Sequence, residues 1–476
     1  MMSSFILTFA SYLGASESSI RLLLSLLSGY PLAWLYRSPL MYNRPLAVKH
    51  TFFTLTGLFL CYFNFGYNVF HSLVQHITVY FLLKLTGGTK FSVAFAFVYN
   101  TLYLVLGYWF TLEDKNESYI ISWTMPHCVL TLRLTAVAFD IYDGQKRPVP
   151  KDAQDSALFS CPTLLELLGQ SYCFGGFLVG PQYCMRRYLN FVSGEYSNPI
   201  TKGPPDSLLP AFKRFMLGVI YIGLYQIVYI FISDEYLLSS AFQERGLLFK
   251  CAVLIVWGKT CLNKYIGSWL LAEGSIIYMG LSFNGVDNNN VAQWDACTNI
   301  KVRQLECGST LHNYIHCFNC NTNLWMARYL FKRLRFLGSK TLSQSCTLLY
   351  LAVWHGVYSG YYVCFFLEFV YTTCERQVED LMQRKELKTA LSSPVLKCLI
   401  FLGQKIFSSF LISFALVSFS LLSMEKWFSV YASMNYIGFI LPAIILPVCS
   451  ILRFAFPKSL MQNGVHSGTS RDKKED

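Results

Sequence analysis

Charged side chains are scarce in this sequence of 476 residues, because Asp, Glu, Lys and Arg together make up only 14% of it. Soluble globular domains carry about 25%, so most of this chain's surface is not expected to face water. Hydrophobic residues supply 54% of the chain. They recur in runs close to the length of roughly 20 residues that crosses a bilayer. The composition therefore indicates an integral membrane protein that crosses the bilayer many times.

Polar linkers and low-complexity tracts are also absent, so residues 1–456 are predicted to form one membrane domain and residues 457–476 a short cytosolic tail. The apolar runs, which include 247–264 and 265–281, predict an all-α bundle of roughly 11 transmembrane helices. One run, LLELLGQSYCFGGFLV at 164–179, is short and rich in glycine and polar residues. We expect it to be re-entrant or buried inside the bundle.

Several motifs of enzymes and metal sites are missing. The sequence has no Gly-rich phosphate loop, no GxSxG elbow, no HExxH and no Ser or Cys set with a His and a carboxylate. The 16 cysteines do not include a pair of CxxC motifs. Many of them lie in apolar runs, where Cys acts as a small hydrophobe. We therefore predict no metal, no other cofactor and no disulfide framework.

Acidic residues are outnumbered by 39 Lys and Arg to 27 Asp and Glu, which gives a net charge of +12. The basic residues stand in short clusters between apolar runs, which favours anionic lipid headgroups or a phosphorylated substrate over nucleic acid. At the end of the sequence, Lys473 and Lys474 match the dilysine retrieval signal of endoplasmic reticulum membrane proteins. A solvated charged tail is the alternative interpretation.

His355 is the strongest candidate for catalysis, because it stands in the apolar run LYLAVWHGVYSGYYVCFFLEF, where an ionisable side chain is costly. If 347–371 forms one helix, His355, Tyr358, Ser359 and Tyr362 share a polar face that looks into the bundle. Imidazole is the usual general base near neutral pH. Without a protein nucleophile, this base is predicted to activate a substrate hydroxyl or a water.

Three alternating asparagines, Asn319, Asn321 and Asn323, end the long polar stretch 283–345. An amide can donate to a developing oxyanion or orient a substrate carbonyl. Helix capping is the alternative, and it is expected for at least one of the three.

The segment WMARYLFKRLRFLG at 325–338 predicts an amphipathic helix that lies in the membrane interface. Arg328, Lys332 and Arg335 would fall on one side of it, with Arg333 beside them. These four residues are candidates for binding a substrate phosphate. A role as a topological anchor on lipid headgroups is equally compatible with the pattern.

Four further polar residues lie within apolar runs: Glu166, Gln170, Gln226 and Glu273. Such side chains at membrane depth face the bundle interior or a cavity. Cavity lining and structural hydrogen bonding are both open for them.

The segments FNCNTNLWMARYLFKRLRFLGSK at 318–340 and LLYLAVWHGVYSGYYVCFFLEF at 348–369 resemble the membrane-bound O-acyltransferase family. Within that family the resemblance is greatest to the lysophospholipid acyltransferases. It implies an all-helical bundle around an intramembrane catalytic chamber. It also implies a catalytic pair of Asn319 and His355, while Cys320 departs from the apolar residue expected there.

The resemblance implies a reaction between acyl-CoA and lysophosphatidylcholine or a related lysophospholipid, in phospholipid remodelling. His355 would take the proton of the sn-2 hydroxyl, and Asn319 would hold the acyl carbonyl while CoA leaves. Tyr358, Ser359 and Tyr362 would contact substrate, and a homo-oligomer is compatible with the sequence. Two alternatives remain: a family member with a sterol, diacylglycerol or protein acceptor, and a transporter that uses His355 as a proton relay.

Overall fold

The computed structural model of the protein describes residues 2–112, 121–198 and 200–456, so Lys473 and Lys474 lie outside the described residues. Within these ranges the regular structure is helical, and one isolated β-bridge joins Val286 to Ala292. The all-α class predicted from the sequence is confirmed.

The helices of the first half of the chain come in this order: α1 (Met2–Leu13), α2 (Glu17–Arg37), α3 (Pro39–Tyr42), α4 (Leu46–Phe65), α5 (Val69–Thr86), α6 (Lys90–Leu112), α7 (Thr124–Gly144), α8 (Leu164–Ser171), α9 (Met185–Ser193), α10 (Leu208–Tyr229), α11 (Asp234–Leu238) and α12 (Ser240–Gln243). The second half contains α13 (Leu247–Met279), α14 (Val302–Cys307), α15 (Leu311–Cys317), α16 (Cys320–Met326), α17 (Lys340–His355), α18 (Ser359–Met382), α19 (Lys385–Ala390), α20 (Pro394–Leu421), α21 (Met424–Ser433) and α22 (Ile437–Ala455).

Within the described part of the chain, five helical stretches are long and apolar enough to cross a bilayer: Leu46–Thr86, Lys90–Leu112, Leu208–Leu238, Pro394–Leu421 and Ile437–Ala455. Large apolar side chains on these stretches are exposed, among them Phe59, Leu102, Ile227, Ile406 and Ile451. Such a surface suits lipid rather than water. The chain is therefore a membrane-embedded, multi-pass protein.

Helix α13 forms the axis of the fold and packs against α2, α10 and α20. Its 33 residues correspond to about 50 Å at 1.5 Å per residue. Two separate spans at 247–264 and 265–281 were predicted, and that prediction is wrong, because no helix break occurs between them. Gly258 allows the close approach of α20, since a Cβ added there would lie 2.8 Å from the Cα of Ser413.

The run 164–179 lies inside the bundle, which is one of the two predicted alternatives. Helix α8 covers only its first half, and residues 172–178 continue as buried residues without regular secondary structure. Arg133 of α7, which is 2% exposed, satisfies that backbone. It donates to the carbonyl oxygens of Gln170 at 3.1 Å, Ser171 at 3.0 Å, Gly176 at 2.6 Å and Pro181 at 3.1 Å. Non-helical backbone at membrane depth requires such partners from the protein.

Two of the four polar residues noted in apolar runs have structural roles in this region. Glu166 forms a capping box with Thr163 at the start of α8, and the Thr163 N–H donates to Glu166 Oε2 at 2.7 Å. The Gln170 amide donates to the Tyr183 carbonyl at 3.1 Å. Gln226 lies half-buried on α10.

Candidate active site

His355 is the last residue of α17, and Gly356 ends the helix with φ +146° and ψ −171°. That conformation is open to glycine and strained for other residues. A single helix over 347–371 is therefore a wrong prediction, and so is the continuous polar face from His355 to Tyr362. Instead, Tyr358 precedes the first turn of α18 and Ser359 begins it.

The His355 ring is half-buried in a cage of aromatic rings. Its centroid lies 4.7 Å from Trp354, 5.6 Å from Tyr361, 5.3 Å from Phe365 and 5.1 Å from Phe419. Hydrogen-bond partners of the two ring nitrogens are absent among the residues that the structure describes. The ring is thus held by packing, and its nitrogens remain available to a ligand.

The backbone that leads into His355 is fixed by two neighbouring helices. The Tyr108 hydroxyl of α6 donates to the Trp354 carbonyl at 2.8 Å. The Trp354 indole N–H donates to the Cys128 carbonyl of α7 at 2.8 Å. These two contacts set the position from which the imidazole projects.

Asn319 precedes α16 in the left-handed conformation, with φ +52° and ψ +45°. Asparagine tolerates this region better than most residues. Its side chain is half-buried and makes no capping hydrogen bond. Other side-chain partners of Asn319 are likewise absent from the described residues, so its amide is available to a substrate.

The other two asparagines are used by the fold. The Asn321 amide donates to the carbonyls of Cys297 at 3.2 Å and Thr298 at 3.1 Å. The Asn323 amide donates to the Phe318 carbonyl at 3.0 Å. The motif therefore contains two structural amides, those of Asn321 and Asn323, and one amide that forms no hydrogen bond within the described part of the chain.

A path of aromatic contacts joins the surroundings of His355 to those of Asn319. The ring centroids are separated by 5.1 Å from His355 to Phe419, 6.4 Å from Phe419 to Tyr265, 6.1 Å from Tyr265 to Trp269 and 5.0 Å from Trp269 to Phe318. Phe318 directly precedes Asn319 in the chain. The ring of His355 and the residue that precedes Asn319 are thus linked through one aromatic region, which side chains of α13, α18 and α20 form.

Sequence reasoning missed Tyr265, Trp269 and Phe419 as parts of this region. Tyr265 and Trp269 stand four residues apart on α13, which places them on one face of the helix. That spacing was a usable signal. No sequence signal marked Phe419, since it is one of many phenylalanines in an apolar helix.

Two carboxylates hold the loop that carries Asn319. Glu273 of α13, which is 2% exposed, accepts the backbone N–H groups of Asn299 at 2.7 Å and Ile300 at 3.0 Å. Glu375 of α18 accepts those of Leu311 at 2.7 Å and His312 at 2.8 Å. Structural hydrogen bonding is therefore the role of Glu273.

The basic segment 325–338 is not one regular α-helix, and that prediction is wrong. Residues Ala327–Phe331 form a π-helix and Arg333–Leu337 a 3₁₀-helix. The change of pitch brings the segment onto α7, where the Tyr329 hydroxyl donates to Asp140 at 2.7 Å. Contacts with the carboxylates of α7 therefore stabilise this segment more than a uniform helical pitch would.

The four basic residues of this segment differ in their surroundings. Arg333 pairs through two nitrogens with the buried carboxylate of Asp143. Lys332 pairs with Asp152 at 3.1 Å, and its hydrogen bond lowers the pKa of Asp152. Arg328 is half-buried, and Arg335 is exposed without an ion pair among the described residues.

The remaining candidates lie at the start of α18. The Tyr358 ring lies 6.4 Å from that of Tyr361, which itself packs on His355. The Ser359 hydroxyl accepts the Trp427 indole N–H at 3.3 Å. Tyr362 is half-buried. The structure therefore brings Tyr361, rather than Tyr358 or Tyr362, against the imidazole.

One protein-family model and several known proteins are similar to this chain. The model of the membrane-bound O-acyltransferase family matches residues 114–413. The chain is 41% identical to lysophospholipid acyltransferase 5 of Mus musculus over 446 residues, which cover 91% of each chain. It is 38% identical to lysophospholipid acyltransferase 5 of Drosophila melanogaster over 437 residues, which cover 90% of this chain and 86% of the relative.

A more distant relative carries another name. Membrane-bound glycerophospholipid O-acyltransferase 2 of Mus musculus is 28% identical over 421 residues, which cover 85% of this chain and 78% of the relative. The family match spans more than half of the chain and includes both Asn319 and His355. The resemblance drawn from the sequence is confirmed, and the chain belongs to the membrane-bound O-acyltransferase family.

Proposed function

We propose that this chain is an acyl-CoA-dependent lysophospholipid acyltransferase. It transfers an unsaturated fatty acyl chain to the sn-2 hydroxyl of lysophosphatidylcholine or a related lysophospholipid, in phospholipid remodelling. The observation that carries the proposal is the pair Asn319 and His355. Neither side chain has a hydrogen-bond partner in the described fold, and one aromatic region links the ring of His355 to Phe318, the residue before Asn319. The names of the relatives that align over most of the chain support the same reaction.

The reaction follows from the chemistry of the two side chains. A neutral His355 nitrogen accepts the proton of the sn-2 hydroxyl as its oxygen attacks the thioester carbonyl carbon. The Asn319 amide donates to the carbonyl oxygen as negative charge develops there. The C–S bond then breaks, and CoA leaves as a thiolate that takes up the proton. The thioester is already activated, so the reaction needs no metal or other cofactor.

The aromatic cage suits this role. Rings of Trp354, Phe365 and Phe419 pack around the imidazole and leave its nitrogens open. We infer that, with substrate bound, these rings limit the access of water to it. Exclusion of water favours transfer to the lipid hydroxyl over hydrolysis of the thioester. We assign the aromatic region between α13, α18 and α20 to an intramembrane catalytic chamber surrounded by roughly 11 transmembrane helices.

The candidate substrate-binding residues have different roles in the proposed reaction. Arg328 and Arg335 are the basic residues of 325–338 that can meet a substrate phosphate or a lipid headgroup. Lys332 and Arg333 instead hold the segment in place through ion pairs with Asp152 and Asp143. Tyr358, Ser359 and Tyr362 would line the substrate path at the start of α18.

The remaining proposals concern the location and assembly of the protein in the cell. We propose residence in the endoplasmic reticulum membrane through Lys473 and Lys474 in a cytosolic tail, with residues 1–456 as the membrane domain. A homo-oligomer is compatible with the proposal, which does not require one.

The experiment uses microsomes that contain the full chain. Labelled lysophosphatidylcholine is supplied with oleoyl-CoA or arachidonoyl-CoA, and the lipid products are separated. We expect labelled phosphatidylcholine that carries the added acyl chain at sn-2. Microsomes without the chain give the background. Acylation of a sterol, diacylglycerol or protein in place of the lysophospholipid would overturn the proposed acceptor.

A further inference from the structure

Three basic residues of the long loop form a group that the proposed mechanism does not use. This loop group consists of Lys301, His312 and His316. The Lys301 ammonium lies 3.2 Å from His316 Nε2. The rings of His312 and His316, four residues apart on α15, lie 6.1 Å apart and within 7° of parallel. Both histidines are exposed and Lys301 is half-buried.

Backbone groups of Lys301 and His316 form hydrogen bonds with residues that lie one or two positions from Asn319 in the chain. The Lys301 N–H donates to the Cys317 carbonyl at 3.0 Å, two residues before Asn319. The Cys320 thiol, one residue after Asn319, donates to the His316 carbonyl at 3.3 Å. The two histidines of the group are exposed, whereas Phe318, which directly precedes Asn319, packs on Trp269.

Two carboxylates on helices that contact α15 already have partners. Glu306 of α14 pairs with Lys259 and accepts the Tyr221 hydroxyl at 2.6 Å. Glu375, which packs on α15, accepts two backbone N–H groups. Among the described residues, Lys301 forms no ion pair with a carboxylate, unlike Lys332 and Arg333.

His316 orients the Lys301 ammonium. The positive charge of Lys301 lowers the pKa of His316, so the imidazole is neutral near pH 7 and its Nε2 can accept a hydrogen bond from Lys301. An ammonium has three N–H donors, which leaves donors of Lys301 for an anion beside Asn319. Cations held in place by a neighbour lose less side-chain freedom when an anion binds.

We propose that Lys301, positioned by His316, binds a phosphate group of a substrate at the rim of the active site. This inference rests on the proposed function, because both substrates of that reaction carry phosphate esters. The phosphate can belong to CoA or to the lysophospholipid headgroup. The chemistry of recognition is the same in both, namely a charge-assisted hydrogen bond from an ammonium.

The test compares Lys301→Gln with the wild-type full chain in microsomes, and measures KM separately for oleoyl-CoA and for lysophosphatidylcholine. The thioester of oleate with pantetheine, which lacks phosphates, is a third acyl donor. Loss of one charge-assisted bond at a partly exposed site is expected to raise one KM about fivefold or more, with little change in kcat.

The donor pair distinguishes the two sources of phosphate. If the phosphate belongs to CoA, Lys301→Gln raises the KM for oleoyl-CoA and leaves that for the pantetheine thioester unchanged. If it belongs to the headgroup, only the KM for lysophosphatidylcholine rises. An unchanged KM for both phosphate-bearing substrates overturns the inference, while wild-type product formation still supports the proposed function.

Two further variants separate a specific contact from a general effect of charge. Arg303→Gln removes an exposed positive charge two residues away, and we expect its KM values to stay near wild type. His316→Gln keeps a hydrogen-bond acceptor for Lys301, whereas His316→Phe does not. The glutamine variant should therefore retain a lower KM than the phenylalanine variant. An equal rise in KM for Arg303→Gln and Lys301→Gln would also overturn the inference.

Discussion

The side-chain nitrogen of Asn321 lies 3.1 Å from the carbonyl oxygen of Thr298, to which it donates a hydrogen bond. The side chain of Asn319, two residues earlier, has no such partner in the described fold. One motif thus supplies both a structural amide and an available one. Their substitutions should have opposite effects on folding and on chemistry.

Asn319→Ala is expected to remove most acyl transfer at a normal protein level, because the carbonyl oxygen loses its donor. One donor of this kind accounts for about 10²–10³ in rate in other enzymes. Asn321→Ala should instead lower the yield of folded protein, since its hydrogen bonds hold the loop at 297–298. Activity per folded molecule and yield from gel filtration in detergent are the measurements. Full activity in Asn319→Ala would contradict the assignment.

The sequence predicted the candidate pair but not the geometry around it. His355 was recognisable as an ionisable group in an apolar run. Gly356 was visible too, yet a single glycine is compatible with either a helix end or a helix interior. Only its φ of +146° shows that α17 ends there. The predicted polar face of four residues is therefore wrong, although its first residue, His355, remains the candidate general base.

Contacts between distant parts of the chain were not predictable from local patterns. Glu273 was noticed as a costly polar residue, but its partners Asn299 and Ile300 come from a loop 26 residues away. Similarly, Trp269 meets Phe318 only because α13 and the loop pack together. The polar residues and glycines of the run 164–179 predicted either a re-entrant or a buried segment, and the structure has the buried one.

Arg133→Leu is expected to prevent stable folding. Four backbone carbonyls would lose their donor inside the bundle, and an unsatisfied buried acceptor costs about 1–3 kcal/mol. The sum is comparable with the whole free energy of unfolding of a domain, about 5–15 kcal/mol. Thermal unfolding in detergent measures the effect, with the exposed Arg245→Ala as control. Similar unfolding temperatures for both variants would show that Arg133 has no such role.

Arg333→Gln and Lys332→Gln remove the same charge from neighbouring positions with different burial. The Asp143 side chain is 1% exposed, whereas that of Asp152 is 44% exposed. Arg333→Gln should therefore cost about 1–3 kcal/mol of stability, because it weakens the pairing of a buried carboxylate. Lys332→Gln should cost less than about 1 kcal/mol. Chemical denaturation compares the two, and a larger loss for Lys332→Gln would refute this account.

If Lys473 and Lys474 form the proposed retrieval signal, Lys473→Ser combined with Lys474→Ser releases the protein from the endoplasmic reticulum. Fluorescence microscopy of a chain tagged within a loop, with residues 473–476 left untagged, measures the location. Lys385→Ser with Lys388→Ser removes the same charge elsewhere and should leave the location unchanged. An unaltered location of the tail variant would rule out the dilysine signal.

The most direct test of the account is acyl transfer by His355→Ala, measured with labelled lysophosphatidylcholine and oleoyl-CoA at equal amounts of folded protein. Loss of a general base removes about 10²–10⁴ in rate. The account predicts product formation at the background of microsomes without the chain. Acyl transfer by His355→Ala at the wild-type rate would contradict the central claim that this imidazole takes the proton from the lipid hydroxyl.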